Sequence, residues 1–380
     1  MRIVVQKNTL LQALQTVAKA VPSRTTKPVL YGIHIEATSE SLILTGYNLE
    51  FGFEVTVTAT DNQDVPMIQI EETGAIVLTA RYLLDIVRKL PHTLVRIDTQ
   101  ELTATIRSGN ATYTLNGLDP REYPATQEIA DDRGFAISCA TMRELVERTA
   151  FATSTSESRP VLTGVLWKYE NGLLTLSATD SHRMATQGTE VETLRDYALI
   201  ESIIPGKSLQ ELAKSLPTDD TLANIQIEEK QLLVSFANIR FFSQLIEGRY
   251  PDLSRIIPQA FKTSITIGIK SLQDCVERAA LLARDTENQI IRLHLRRTEI
   301  EISSHSPEIG KIVESVEPNT FEGEDMVLAC NAKFLLEGLR AIPGEDVLIQ
   351  FTSPGSAFTL TPTATSTHIQ LMQPVRQVYI

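Results

Sequence analysis

The sequence predicts an α+β protein built from three similar domains in tandem. Three observations carry that expectation: a threefold internal repeat, a helical pattern at the same place in each copy, and alternating apolar and polar runs between the helices. TARYLLDIVRKLP (79–91), PGKSLQELAKSLP (205–217) and NAKFLLEGLRAIP (331–343) align without gaps, each step being 126 residues. Leu83, Leu209 and Leu335 correspond, as do Val87, Ala213 and Leu339, and Leu90, Leu216 and Ile342. Apolar residues at i, i+4 and i+7 mark one face of a helix, and Pro91, Pro217 and Pro343 close it.

The other elements follow in order. A helical pattern opens each third, at 8–21 (NTLLQALQTVAKAV), 140–152 (ATMRELVERTAFA) and 271–283 (SLQDCVERAALLA). An extended run, a polar turn and a second alternating strand come next, at 25–46, 156–180 and 286–306. The 126-spaced helix and further strands complete the unit, so helix followed by strands occurs twice in every third. Domain boundaries fall at 1–126, 127–254 and 255–380. The links EYPATQEIADDRG and RYPDLSRIIPQAFK are polar and proline-bearing, as connections between domains tend to be. A propeller blade or solenoid repeat is much shorter than 126 residues, which favours whole domains.

With 380 residues, 42 % of them hydrophobic, the chain can bury a large interior. No run approaches the ~18 apolar residues of a membrane span, and MRIVVQKNTLLQ lacks the basic start and apolar core of a signal peptide, so a cytosolic protein is expected. Cys139, Cys275 and Cys330 stand far apart and match no metal-ligand spacing, which predicts buried free thiols, no metal and no cofactor.

A net charge of −12 argues at first against a nucleic-acid partner. Its distribution argues otherwise. Windows around the six helices, 7–27, 79–91, 139–159, 205–217, 269–284 and 331–343, together carry +9, leaving −21 on the rest of the chain. Each 126-spaced helix places two bases seven residues apart on one face: Arg81 and Arg88, Lys207 and Lys214, Lys333 and Arg340. An acid lies between them in every copy, Asp85, Glu211 or Glu337, four residues after the first base, where an i,i+4 pair would leave the face only mildly positive. Such a face suits phosphates held loosely, while the acidic remainder repels nucleic acid. A domain of this size is about 36 Å across. Three in a closed ring leave a hole of about 6 Å, whereas six leave about 36 Å, room for a duplex with grooves ~8 Å deep. One chain is thus half a ring, which a two-fold dimer would complete.

ATDSHR (178–183) sets Asp180, Ser181 and His182 side by side. Adjacent residues leaving a strand point in different directions, so they cannot converge into a catalytic triad, and none of the six histidines sits in a catalytic motif. The local reading is a strand-end turn in which Asp180 caps backbone groups.

SRTTKPVLYGIHI, RSGNATYTLNGLDPREYP, SESRPVLTGV, ATDSHR, EGRYPDLSRIIP, SSHSPEIGK and the closing QPVR resemble, in order and over the whole chain, segments of the bacterial DNA polymerase III beta subunit family, the replicative sliding clamps. The resemblance implies three α+β clamp domains per chain, in a homodimeric ring with helices lining the inside and sheets outside. It implies a processivity factor rather than an enzyme: the ring encircles double-stranded DNA without reading sequence and tethers the replicative polymerase, with the clamp loader and repair proteins as further partners. A pocket between the second and third domains would take their short peptides, which carry apolar anchors and a glutamine. At matching positions its wall includes Leu162, Thr179, Ser181, His182, Arg183 and Met184, then Pro251, Arg255 and Ile256, then Asn331, Phe334, Met372, Pro374, Val375 and Arg376. Ser181 departs from a place that is often glycine, and Gln377 to Ile380 extend beyond the usual end. The Asp180 turn is then either a capping turn alone or one that also forms a lip of this pocket.

Matching positions also place Tyr113 and Leu115 against Leu281 and Leu282 of the second copy. Read locally, Tyr113 and Leu115 alternate on a strand and fit a core equally well. For DNA, Arg24 and Lys27 lie in a loop after the first helix, within reach of phosphates, with Lys19 and the six helical bases as further candidates.

Overall fold

A computed structural model describes residues 1–60, 66–125, 134–191, 199–228, 230–283, 289–364 and 367–375. Six α-helices are formed among them: α1 (Lys7–Val17), α2 (Ala80–Lys89), α3 (Cys139–Glu147), α4 (Gly206–Ala213), α5 (Ile269–Ala283) and α6 (Ala332–Ala341). The even-numbered helices start 126 residues apart, as the repeat predicts. Their apolar faces are buried in every copy: Leu83, Val87 and Leu90, then Leu209, Ala213 and Leu216, then Leu335, Leu339 and Ile342. Leu90 and Ile342, each followed by proline, take extended backbone with ψ of 139° and 125°, because a proline ring clashes with a helical predecessor. The odd-numbered helices stop short of the full patterns in two cases. α1 and α3 are followed by 3₁₀ turns at Ala18–Ala20 and Ala150–Ala152.

Two compact units divide the described residues. The first is built from described residues within 1–143 and 211–245, and the second from those within 144–191, 199–210 and 246–375, so the middle third contributes to both. All sheets are antiparallel. The first unit holds a five-stranded sheet, ending in Ala111–Asn116, and an eight-stranded one. In the latter, Phe51–Thr58 pairs with Ile239–Gln244, Gly52 facing Phe242. The second unit holds a nine-stranded sheet and a four-stranded one that ends in Gly310–Val316. In the nine-stranded sheet Arg183–Glu190 pairs with Ile369–Met372, Met184 facing Leu371. Alternation along each strand sends one set of side chains to the helices. Leu272 and Val276 of α5 and Leu335 and Leu339 of α6 share a core with Ile265, Ile267, Leu293 and Ile302 from the strands.

Long polar side chains fasten helix ends. Lys7 Nζ donates to Leu90 O just beyond α2 at 2.6 Å. Past the end of α4, Arg143 donates to Leu216 O and Lys19 Nζ to Lys214 O at 3.1 Å. A cation suits the carbonyls left unpaired where a helix stops. On α6, Gly338 admits a strand side chain: a Cβ there would fall 2.5 Å from Gln370 Oε1, and Gln370 Nε2 donates to Gly338 O at 2.9 Å. That amide also lies 2.9 Å from His368 Nε2.

His368 is fully buried, and desolvation, reinforced by the Arg148 charge, pushes its imidazole down to about 4. An unfolded histidine titrates near 6.5, so the unfolded chain takes up a proton first as pH falls, and stability present above about 6.5 is lost toward pH 4. Thermal melts across that range should show a falling midpoint that is shallower in His368→Gln. An unchanged slope would mean that this imidazole titrates freely in the folded protein.

Candidate functional site

Within the second unit, strands Gly164–Glu170, Leu173–Thr179 and Arg183–Glu190 present one face of a sheet to the connection 249–257. A groove of about 900 Å³ runs between them. Leu166, Met184, Tyr250, Pro251, Leu253 and Ile257 supply its apolar lining, and Thr175, Ser177 and Thr186 its polar floor. Tyr250 fixes the connection to the sheet: its hydroxyl accepts from Thr179 N at 3.1 Å and donates to Gly164 O at 3.3 Å. The ring packs in a cluster with Leu162 and Ile203, and burial pushes the phenol up to about 12. The charged Lys168, Glu170, Glu201, Arg249 and Asp252 also line the groove, which is thus a mixed trough that offers apolar contacts beside polar and charged groups.

The turn at the groove's end is organised by Asp180. Its Oδ1 accepts from His182 N at 2.9 Å and Arg183 N at 3.0 Å, and its Oδ2 from Arg183 Nε at 3.0 Å. Ser181 between them takes φ +78°, a left-handed conformation that glycine adopts more easily. The Arg183 guanidinium, 8 % exposed, also donates to Glu337 Oε2 and, at 2.8 Å, to Phe151 O. Its Cζ lies 4.3 Å from the Phe334 ring centroid and 5.2 Å from that of Phe151. His182 stacks on Phe334 at 6.4 Å. The Asp180 carboxylate is thus committed to the turn and to Arg183, and the partner of Ser181 Oγ is Arg159, at 3.5 Å. No nucleophile and base are paired here.

The residues expected in the pocket separate into a buried foundation and an exposed rim. Leu162, Thr179, Arg183, Met184 and Pro374 are buried, Asn331, Phe334 and Val375 half-buried, and Ser181, His182 and Pro251 exposed. Asn331 caps α6 by accepting from Phe334 N at 3.1 Å, which seats that ring beside Arg183 and His182. The closing segment is pinned by Gln373 N on His182 O and Val375 N on Ala329 O, both 2.8 Å. Arg376 and Gln377 to Ile380 lie outside the described residues. Of the expected residues Met184 and Pro251 are among those that line the groove, and Met372, Arg255 and Ile256 lie outside its lining. Met372 points into the core beneath the sheet, because strand alternation gives the sheet face of Met184 to its neighbour Leu371. Arg255 and Ile256 occupy the 3₁₀ turn Ser254–Ile256, Arg255 paired with Asp252 at 2.8 Å, while the lining passes through Leu253, Ser254 and Ile257. Sequence reasoning missed Tyr250, Leu371, Phe151 and the tie from Glu337 to Arg183. Tyr250 alone left a signal, since Tyr123 before Pro124 repeats it in the first third.

The basic candidates also divide. Arg24, Lys27, Arg81 and Lys207 are exposed and form no ion pair among the described residues. Lys19 is committed to the end of α4, its Nζ also donating to Ser215 Oγ at 2.9 Å. Burial lowers its pKa. In two helices the intervening acid pairs with the second base rather than the first: Asp85 with Arg88 at 3.6 Å and Glu211 with Lys214 at 2.7 Å. A carboxylate N-terminal to its cation is the better arrangement on a helix. In α6, Glu337 stands 4.0 Å from Lys333 but closer to Arg183, and Arg340 pairs with Glu277 at 2.8 Å.

Tyr113 and Leu115 lie on Ala111–Asn116, the open edge of its sheet, Tyr113 being 37 % exposed rather than in a core. Leu281, 54 % exposed, and the half-buried Leu282 end α5, which packs on Gly310–Val316, the open edge of the four-stranded sheet.

Asp180→Ala removes two turn hydrogen bonds and one partner of a buried cation, and should destabilise the second unit by about 2–4 kcal/mol. Urea unfolding checks this, and a loss below about 1 kcal/mol would contradict a structural role.

Family models for the DNA polymerase III beta subunit match nearly the whole chain: the N-terminal domain at residues 1–127, the central domain at 136–252 and the C-terminal domain at 254–376. The beta sliding clamp of Bacillus subtilis is 40 % identical over 378 residues, 99 % of this chain and 100 % of the relative. That of Halalkalibacterium halodurans is 39 % identical over 379 residues, with coverage of 99 % and 100 %. The crystal structure of the Bacillus subtilis DNA polymerase sliding clamp superimposes with a TM-score of 0.95 at 39 % identity, covering 99 % of both chains. A Pseudomonas aeruginosa sliding clamp bound to griselimycin gives 0.90 at 27 %, covering 99 % of this chain and 100 % of the other. This chain belongs to the DNA polymerase III beta subunit family, the bacterial sliding clamps.

Proposed function

We propose that two copies of this chain close around duplex DNA and slide along it, holding a replicative polymerase at its template. Its role is mechanical rather than catalytic. A tether keeps a weakly bound polymerase at high local concentration, so dissociation no longer limits synthesis. The observation that carries the reading is the match of all three beta-subunit domains, in order, along one chain.

Three domains, at 1–126, 127–254 and 255–380, make the half-ring that the size estimate requires. The edge strand bearing Tyr113 and Leu115 is the surface that meets the α5 end bearing Leu281 and Leu282 of the second copy. Exposed Arg24, Lys27, Arg81 and Lys207, with the paired Arg88, Lys214, Lys333 and Arg340, face the phosphates. Bases shared with acids bind phosphate weakly, which lets the ring move. The groove at Met184 and Pro251, with the Ser181–His182 lip and Phe334, takes the apolar anchors of a polymerase, loader or repair-protein peptide. Among the described residues no helix is long and apolar enough to cross a membrane.

Sedimentation should give about twice the chain mass of 42.1 kDa. Loaded by a clamp loader onto nicked circular DNA, the protein should stay through gel filtration and be released when the circle is cut. Retention on linear DNA equal to that on circles would refute topological linkage. Arg24→Ala combined with Lys27→Ala should lower loading efficiency severalfold and leave the sedimenting mass unaltered.

A further inference from the structure

The groove's end turn has a twin in the first unit. Asn48 Oδ1 accepts from Glu50 N at 2.9 Å and Phe51 N at 2.8 Å, as Asp180 does from His182 and Arg183. Leu49 takes φ +77° where Ser181 takes +78°. Glu50 O accepts from Gln244 N at 2.8 Å, as His182 O does from Gln373 N. Tyr123, before Pro124, donates to Thr45 O at 3.3 Å and packs on Leu30, as Tyr250 packs on Leu162.

Strand register then equates the surrounding positions. Gly52 faces Phe242, which faces Leu233. Met184 faces Leu371, which faces Thr359. Phe242 therefore corresponds to Leu371, Leu233 to Thr359, Gly52 to Met184, and Tyr47 to Thr179. In the first copy Tyr47, Leu233 and Phe242 join Leu30 and Tyr123 in one buried apolar cluster. The Tyr47 and Phe242 rings are 5.2 Å apart, and Phe242 lies so close over Gly52 that a Cβ there would fall 2.2 Å from Cζ. In the second copy the buried members are Leu162, Ile203 and Tyr250, with the half-buried Val161, Leu166, Ile246 and Leu253 packed against them. Threonines stand where the tyrosine and leucine were, and the Thr359 hydroxyl, on a residue 2 % exposed, has no hydrogen-bond partner among the described residues.

We propose that the first third carries a second copy of the partner-peptide site, closed by the chain's own Tyr47, Leu233 and Phe242, so that each chain takes one peptide instead of two. The inference rests on the reading of the Met184–Pro251 groove as that site. The filled copy shows what the open one lacks: an aromatic ring and a leucine, the apolar chemistry a partner peptide would bring.

The test uses the full-length protein and a synthetic hexapeptide of one glutamine followed by leucine and phenylalanine anchors, titrated calorimetrically. Wild type should bind one peptide per chain. Met184→Gly, Leu371→Phe and Thr359→Leu together give the open copy the filling of the closed one, and should weaken binding at least tenfold while dimer mass and retention on circular DNA persist. Phe242→Ala with Leu233→Thr should raise the stoichiometry from one to two. Affinity within twofold of wild type in the filled variant overturns the proposal, as does a folded opened variant that still binds one peptide. Should the opened variant fail to fold, the filled variant decides. No binding to wild type at all would remove the underlying reading of the groove, a result distinct from either.

Discussion

Arg183 is the charge around which the second unit is arranged. A guanidinium this far from water must find counter-charge and acceptors nearby or the fold does not close over it. It finds them in three places: the Asp180 carboxylate of its own turn, Glu337 on α6, and the Phe151 carbonyl in the 3₁₀ turn after α3. The rings of Phe334 and Phe151 bracket its carbon. The lip of the groove, the helix bearing Lys333 and Arg340, and the turn following α3 are thereby held to one side chain. Glu337 stands between Arg183 and Lys333, so a charge that helps position the lip also moderates a candidate phosphate contact on the same helix.

Repetition explains much of the rest. The same short grammar, a helix face ending in proline and a strand ending in an Asx-stabilised turn, is used in successive thirds, and the differences between copies are where function resides. Asn48 and Asp180 do the same backbone work, but only the carboxylate can also hold a buried arginine. Phe51 takes the arginine's place in the first copy and needs no counter-charge. One scaffold thus yields a closed apolar cluster in one unit and a polar-hinged groove in the other.

The helices, the repeat step and the strands were legible in the sequence because each is local: leucines at i, i+4 and i+7, a proline at the end, alternation between. The resemblance pointed to this region, and of the residues it named Met184 and Pro251 line the groove, with Ser181 and His182 in the turn that precedes Met184. What stayed hidden depends on contacts between distant segments. Leu371 rather than Met372 shares the sheet face of Met184 because of register, which a one-residue slip reverses. Lys19 reads as one more helix-associated base until its ammonium is seen against the carbonyl of Lys214, 195 residues away. Glu337 reads as an ordinary i,i+4 partner of Lys333 until the buried guanidinium appears beside it.

Two of the edge strands carry a consequence for assembly. Ala111–Asn116 and Gly310–Val316 differ in sequence and belong to different sheets, so neither is its own complement. An unpaired strand is a row of unsatisfied amide groups that invites chance partners. If one edge seats against the other, every unclosed chain of subunits keeps one of each kind exposed, however many subunits it gathers. Only a cycle leaves neither of these two exposed, so closure rather than charge is what removes this pair from chance strand addition.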